Sequence, residues 1–146
     1  MEGFLGTQAP FWSDLSLVLT WVLTVVAGVG GVNGRRRRIS NHCPLMATGA
    51  LLNWLPVLIV MIPTWLNVAA GAADVPTPTM IARFAPLAHG VLGGFTQLLM
   101  TYTVTRMYWL EDLPPDRPLW LMRITLGFWI VTVIGGTAVY VTLYVR

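Results

Sequence analysis

The sequence predicts an all-α fold: an integral membrane, up-and-down four-helix bundle with its N-terminus and C-terminus on the outer side. Three observations predict it. Of 146 residues, 55% are hydrophobic and only 10% are charged, whereas a soluble domain carries about 25% charged residues. Four apolar runs are long enough to cross about 30 Å of hydrocarbon. The arginines concentrate in the first and third connections between these runs, which places those connections in the cytoplasm.

The four predicted helices form a single domain over residues 1–146 with short connections. The helices are expected at about 13–33, 44–68, 84–109 and 119–145, each long enough to span. Ser13 and Asp14 suit the capped and negatively charged start of the first helix, and Pro44 suits the first turn of the second. The proline-containing connections 71–80 and 111–118 are expected on the outer and cytoplasmic sides, respectively.

Four consecutive arginines form the strongest local signal, and they are Arg35, Arg36, Arg37 and Arg38. In a soluble protein such a run would indicate a nucleic-acid or anion-binding patch. Between two runs of membrane length it indicates a turn that stays in the cytoplasm and contacts anionic lipid headgroups. The sequence therefore predicts no nucleic-acid partner.

Small and polar residues follow one face of the second predicted helix. They recur at alternating spacings of four and three and are His42, Met46, Gly49, Asn53, Pro56, Val60, Pro63 and Asn67. Such a face in a lipid-embedded helix points into the bundle, so Asn53 is expected to hydrogen-bond a neighbouring helix. Four glycines, Gly90, Gly94, Gly135 and Gly136, are predicted to allow close helix packing. Pro56 and Pro63 should bend the helix.

The two histidines, His42 and His89, raise the question of a haem or metal site. His42 lies at the cytoplasmic end of the second helix and His89 near the outer end of the third. This separates them by more than about 20 Å, so they cannot share one ion or haem. Haem b at His89, with room beside Gly93 and Met61 as a second ligand, is one hypothesis. A hydrogen-bonded packing histidine is the other.

Near His42, the side chains of Cys43 and Met46 would suit Cu(I). Because consecutive residues of a helix point in different directions, His42 and Cys43 should not face one ion together. A His42 that caps the helix start at the headgroups is the favoured interpretation. The sequence shows no nucleophilic triad, phosphate loop or paired carboxylate, and no charged residue in the middle of a span. It therefore predicts a chain that is not an enzyme, has no soluble substrate and does not translocate ions.

Three segments carry a family resemblance. They are the basic turn followed by the segment from His42 to Ala47, His89 with the small residues after it, and the segment from Trp129 to Tyr144. Together they resemble the CtaM/YozB-like family of small four-helix bacterial membrane proteins, which is linked to maturation of haem-copper terminal oxidases. The likeness covers about the last three quarters of the chain and implies a multi-pass protein of the bacterial cytoplasmic membrane.

One position departs from this family pattern. The family has a His-Arg pair at the start of the fourth helix, level with His42, where this chain has Arg117-Pro118-Leu119. The resemblance with this departure implies a non-catalytic accessory or assembly subunit of a membrane electron-transfer complex, acting by helix packing against a larger partner. The alternative is a small b-type cytochrome that binds one haem through His89.

Overall fold

The computed structural model describes residues 3–70, 80–109 and 118–145, with side chains except at 80–83, 108–109 and 118. Over these residues the chain is all-helical, without strands. Its helices are α1 (Phe11–Arg35), α2 (Ile39–Ala69), α3 (Met80–Trp109) and α4 (Pro118–Tyr144). The connections predicted at 71–80 and 111–118 fall, except for Met80 and Pro118, outside the described residues.

The distribution of polarity is that of a membrane protein. Three helical segments are long and apolar enough to cross a membrane, namely Phe11–Arg35, Ile39–Ala69 and Leu119–Tyr144. Large apolar side chains cover the outside, among them Val91, Leu51 and Trp120, which are 65%, 62% and 67% exposed. Apolar surface on this scale requires an apolar surrounding. The helix α3 is less apolar because it also carries His89, Gln97 and several threonines.

The helix α1 begins at Phe11, two residues before the predicted start, because Pro10 in extended conformation precedes it. It continues through its glycines to Arg35, where a Schellman-type cap ends it. The N–H of Arg37 donates to the Gly34 carbonyl at 3.1 Å and the N–H of Arg38 donates to that of Asn33 at 2.9 Å. The cap places Arg37 in the left-handed region at φ 56°, which favours glycine.

The helix α2 begins at Ile39, five residues earlier than predicted, so Pro44 lies inside the helix rather than in its first turn. Further along α2, the backbone forms a π-helical segment over Val57–Met61. Its hydrogen bonds span five residues, as in the bond from the N–H of Ile62 to the Val57 carbonyl. This segment lies between Pro56 and Pro63, each of which lacks the N–H that an α-helix would use.

The π segment inserts one extra residue into a turn of α2, so the side chains after it point in directions shifted by about one residue position around the helix axis. The predicted inward face is buried or half-buried from His42 to Val60, but Pro63 and Asn67 are exposed. Their inward places are taken by Met61, Trp65 and Val68, which are half-buried. The predicted inward orientation of Pro63 and Asn67 is therefore wrong, because the extra residue per turn shifts the face.

Hydrogen bonds between side chains set the register of neighbouring helices. Two indole N–H groups join α1 to α4, from Trp21 to Thr137 at 3.1 Å and from Trp129 to Thr24 at 3.0 Å. Trp21 pairs with Thr137 and Thr24 pairs with Trp129, so residue numbers rise along α1 where they fall along α4. The two helices therefore run antiparallel. Between these two bonds Trp129 packs with Leu23 and Val133 in the buried apolar cluster.

The N-terminal segment covers the end of the helices α1 and α4. The N–H of Gln8 donates to the carbonyl of Tyr144 at 3.3 Å, and the N–H of Gly3 donates to the carbonyl of Ala9 at 2.9 Å. Ala9 is only 2% exposed, whereas Phe4 and Trp12 remain about half exposed. The segment is thus folded back on the helices, with exposed aromatic rings of the kind found at membrane interfaces.

The left-handed residue in the arginine turn gives a prediction about stability. Arg37→Gly should raise the free energy of unfolding by about 1 kcal/mol, because glycine adopts the left-handed conformation without steric cost. Arg36→Gly is the matched control: it also removes one guanidinium, but Arg36 has φ −81°, so no strain is relieved. Reversible unfolding in mixed micelles, followed by circular dichroism, measures both. A control that stabilises as much as Arg37→Gly would contradict the cap.

Candidate functional site

The centre of the structure holds an amide pair that joins α2 to α3. The side-chain amide of Asn53 donates to the Gln97 side-chain carbonyl at 2.7 Å, and the Gln97 amide donates to the Ala50 carbonyl at 3.1 Å. Gln97 is 1% exposed and Asn53 7%. The expectation that Asn53 hydrogen-bonds a neighbouring helix agrees with this contact. The Asn53 Oδ1 atom is buried and has no partner among the described residues.

Threonine hydroxyls connect α3 to α4 at two levels. Thr96 and Thr132 are 2.9 Å apart, and Thr103 and Thr125 are 3.1 Å apart. Each α3 hydroxyl also donates to the carbonyl four residues before it on its own helix. These hydroxyls therefore hold α3 against α4.

A buried carboxylate closes the end of the structure formed by α1, α4 and the N-terminal segment. Asp14 is completely buried, where the sequence predicted a residue that charges a helix start. Its carboxylate accepts a hydrogen bond from the N–H of Leu5 at 2.8 Å and another from the hydroxyl of Tyr140. The Tyr140 oxygen in turn lies 2.7 Å from Thr7 Oγ1. The cluster joins the N-terminal segment, α1 and α4, so no local pattern in the sequence indicates it.

His89 packs against the glycine pair of α4. A Cβ at Gly136 would lie 2.9 Å from Cε1 of the imidazole, and a Cβ at Gly135 would lie 3.6 Å from Nδ1. The indole of Trp65 on α2 occupies the space beside Gly90 on α3, the helix that carries His89. Its N–H donates to the Leu87 carbonyl of α3 at 3.2 Å. Three of the four predicted packing glycines therefore lie in helix contacts.

The remaining predicted packing glycine, Gly94, has no described atom within 4 Å of an added Cβ. It does not lie in a helix contact of this chain, because its neighbours Val91 and Leu98 are on the exposed face of α3. Gly28, Gly31 and Gly127 are open in the same way. Gly28, Gly94 and Gly127 thus leave notches on the exposed outside of the helices.

The surroundings of His89 do not fit a haem in this arrangement. Thr132 lies opposite Gly93, where a Cβ would come within 3.6 Å of its methyl group. Together with Trp65 at Gly90 and the glycine pair at the imidazole, side chains or helix backbone therefore lie against α3 on the faces next to His89. The Trp65–Leu87 bond places Met61 within about one turn of the depth of His89. His89 Nδ1 itself is buried and has no partner among the described residues.

His42 binds the preceding helix instead of capping its own. Its Nδ1 lies 2.7 Å from the Gly30 carbonyl oxygen of α1. The N-cap of the helix is Arg38, and no side chain caps it. The predicted capping role of His42 is therefore wrong, because Gly34 lets the ring approach α1: a Cβ there would lie 2.9 Å from Nδ1.

A cavity of about 70 Å³ opens beside His42, between all four helices. Both His42 and Cys43 contribute to its wall, together with Met46, although His42 and Cys43 were not expected to face one ion together. The wall also contains three methionines from α3 and α4, which are Met100, Met107 and Met122. Sequence reasoning missed these three. A signal was present, since Met107 follows Arg106 and Met122 precedes Arg123, and arginines mark the depth of the headgroups.

The four arginines of the turn are exposed, next to the end of the helices that holds His42. Along α2, His42 is about 30 Å from the level of His89, at 1.5 Å per residue, with the Trp65–Leu87 bond setting that level. No group of three or more His, Cys, Asp or Glu side chains suited to a metal occurs among the described residues.

Comparison with models of protein families, with curated proteins and with solved structures gives no match.

The amide pair leads to a prediction that also tests the shifted face of α2. Gln97→Met should lower the free energy of unfolding by about 1–2 kcal/mol, because the buried Asn53 amide loses its acceptor. A double-mutant cycle with Asn53→Leu should give a coupling energy of about 0.5–1.7 kcal/mol. Asn67→Leu, on the exposed side of the same helix, should change stability by less than about 0.5 kcal/mol. Equal losses at positions 53 and 67 would contradict the rotation by the π segment.

Proposed function

We propose that this chain is a non-catalytic accessory or assembly subunit of a larger membrane complex and acts by helix packing. The observation that carries the proposal is the division of polarity: side-chain polar groups pair with one another inside, while the outside is apolar. The described residues offer no reactive set of side chains. An apolar exterior with close-packing notches is the surface through which membrane helices associate.

The outward glycines support a partner of helical form. On α3, Val91, Phe95 and Leu98 are 65%, 52% and 63% exposed around the open position at Gly94. Their spacing of three and four residues puts them on one face. A small residue within such an apolar ridge lets a second helix approach closely.

The placement of that partner in respiratory-type electron transfer rests on the resemblance of the segments around His42, His89 and Trp129. The same resemblance supports the cytoplasmic membrane of a bacterium as the location. Anionic lipids are the second class of partner, because the exposed arginines at positions 35–38 provide a positive surface at headgroup depth.

The proposal includes an up-and-down bundle with both termini outside and the arginine turn in the cytoplasm. In a Cys43→Ser background, Phe4→Cys should react with a membrane-impermeant maleimide on intact spheroplasts. Arg37→Cys should react only after permeabilisation. Both positions are exposed, so access and not burial decides the result. Labelling of Arg37→Cys from the outside would overturn the orientation.

A small b-type cytochrome remains the second candidate, because the buried Nδ1 of His89 has no partner among the described residues. Binding would require α4 to move away from the imidazole, since Gly135 and Gly136 now lie against it. His89 would then hold the haem, with Gly93 and Met61 nearby, and the bound group would supply one-electron redox chemistry.

One purification separates the two candidates. The tagged chain, extracted in mild detergent, should co-purify at fixed stoichiometry with a larger membrane complex, and its reduced-minus-oxidised spectrum should lack haem bands of its own. Gly94→Leu should weaken co-purification without loss of helicity, whereas Thr142→Leu on an exposed part of α4 is the control. A Soret band that disappears in His89→Ala, or a stable free monomer with no partner, would contradict the accessory function.

A further inference from the structure

The cavity beside His42 is lined by donors of one chemical kind. Four thioethers, one thiol and one imidazole contribute to its wall, and they belong to Met46, Met100, Met107, Met122, Cys43 and His42. Thioethers and thiolates select soft ions such as Cu(I). We propose that this cavity binds one Cu(I) ion through the thioethers of Met46, Met107 and Met122, with the imidazole of His42 as the nitrogen donor.

The helix register brings the three thioethers within about one helical turn of one another in depth. The Asn53–Gln97 bond fixes α2 against α3, and counting along both antiparallel helices from this bond places Met46 level with residue 104, three residues or about 4.5 Å along the helix from Met107. The Thr103–Thr125 contact fixes α3 against α4, and the same counting from it places Met107 within one residue of the level of Met122. Met46 also lies against α1, because a Cβ at Gly30 would be 2.8 Å from its sulfur.

The hydrogen bond of His42 prepares its imidazole as a ligand. The Gly30 carbonyl oxygen, 2.7 Å from Nδ1, can only accept, so Nδ1 carries the proton. In the neutral ring Nε2 then presents a free lone pair. Metal-binding histidines commonly donate their other N–H to a backbone carbonyl, which fixes the tautomer and the orientation of the ring.

The rest of the wall discriminates against hard ions. Among the described residues no carboxylate contributes to it, and the hydroxyls of Thr103 and Thr125, 3.1 Å apart, each have the carbonyl four residues earlier on the same helix as a hydrogen-bond acceptor. Mg²⁺ and Ca²⁺ prefer oxygen ligands, so the available oxygens do not suit them. The nearby arginines further disfavour divalent ions relative to a monovalent one.

Methionines that served only as flexible core filler would be expected to close the space between them. Here they surround an opening of about 70 Å³ instead, at the end of the helices where His42 is oriented by α1. The site goes beyond the proposed packing function and does not depend on it, because an ion can bind to the isolated chain.

The test is a titration of the purified full-length chain in detergent. Cu(I), held anaerobically with a chromogenic Cu(I) chelator as competitor, should bind at one ion per chain, and Ag(I) should displace it. X-ray absorption should show a first shell of sulfur with one nitrogen. Met46→Leu with Met122→Leu should weaken binding by at least about a hundredfold, more than the roughly 10–100-fold that loss of a group outside the ligand set typically costs. His42→Ala should remove the nitrogen from the shell.

Met61→Leu is the matched control, because Met61 lies on the same helix as Met46 but outside the cavity wall; it should bind Cu(I) as the unaltered chain does. Circular dichroism without metal establishes folding, and Met107→Leu alone replaces the double variant if that one unfolds. Cys43→Ser should retain binding. Equal loss in Met61→Leu, unchanged affinity in the cavity variants, or complete loss in Cys43→Ser would overturn the proposed ligand set.

Discussion

Hydrocarbon offers no hydrogen-bonding partner, so each polar group within the helices must find one in the protein. This constraint is most severe at Gln97, which is 1% exposed and bonds both to Asn53 and to the Ala50 carbonyl. A shift of α3 by one residue would leave these groups unpaired. The register of α2 against α3, and with it the relative depth of their side chains, depends on this pair. Threonine contacts extend the same register to α4.

The general features of the fold followed from the sequence because composition and the length of apolar runs are sufficient for them. The inward orientation of Asn53 followed from the spacing of polar residues, which holds while α2 remains an α-helix. It failed at Asn67 because the π segment adds a residue to the turn. Pro56 and Pro63 indicate that the regular α-helix is interrupted, but they do not determine whether the interruption is a kink or a π-helical turn.

The missed side chains share one property: their partners are distant in the sequence. Asp14 accepts a hydrogen bond from Tyr140, which is 126 residues away in the sequence. The position of Asp14 in the first turn of a helix indicates only a simpler electrostatic role. The methionines of α3 and α4 reach the cavity only through the register of two helix pairs. His42 was assigned to its own helix because local capping is the commoner arrangement, while a glycine of α1 in fact admits its ring.

The two histidines show how neighbouring glycines decide what an imidazole can do. At His89 the glycine pair of α4 meets the ring itself, so the space is used up by packing and Nδ1 faces no described partner. At His42 the glycines of α1 allow only one edge of the ring to approach, and the carbonyl of Gly30 binds Nδ1 there. His42 also contributes to the wall of the cavity. A ligand therefore has room in the cavity beside His42, whereas the imidazole of His89 lies against the glycine pair of α4.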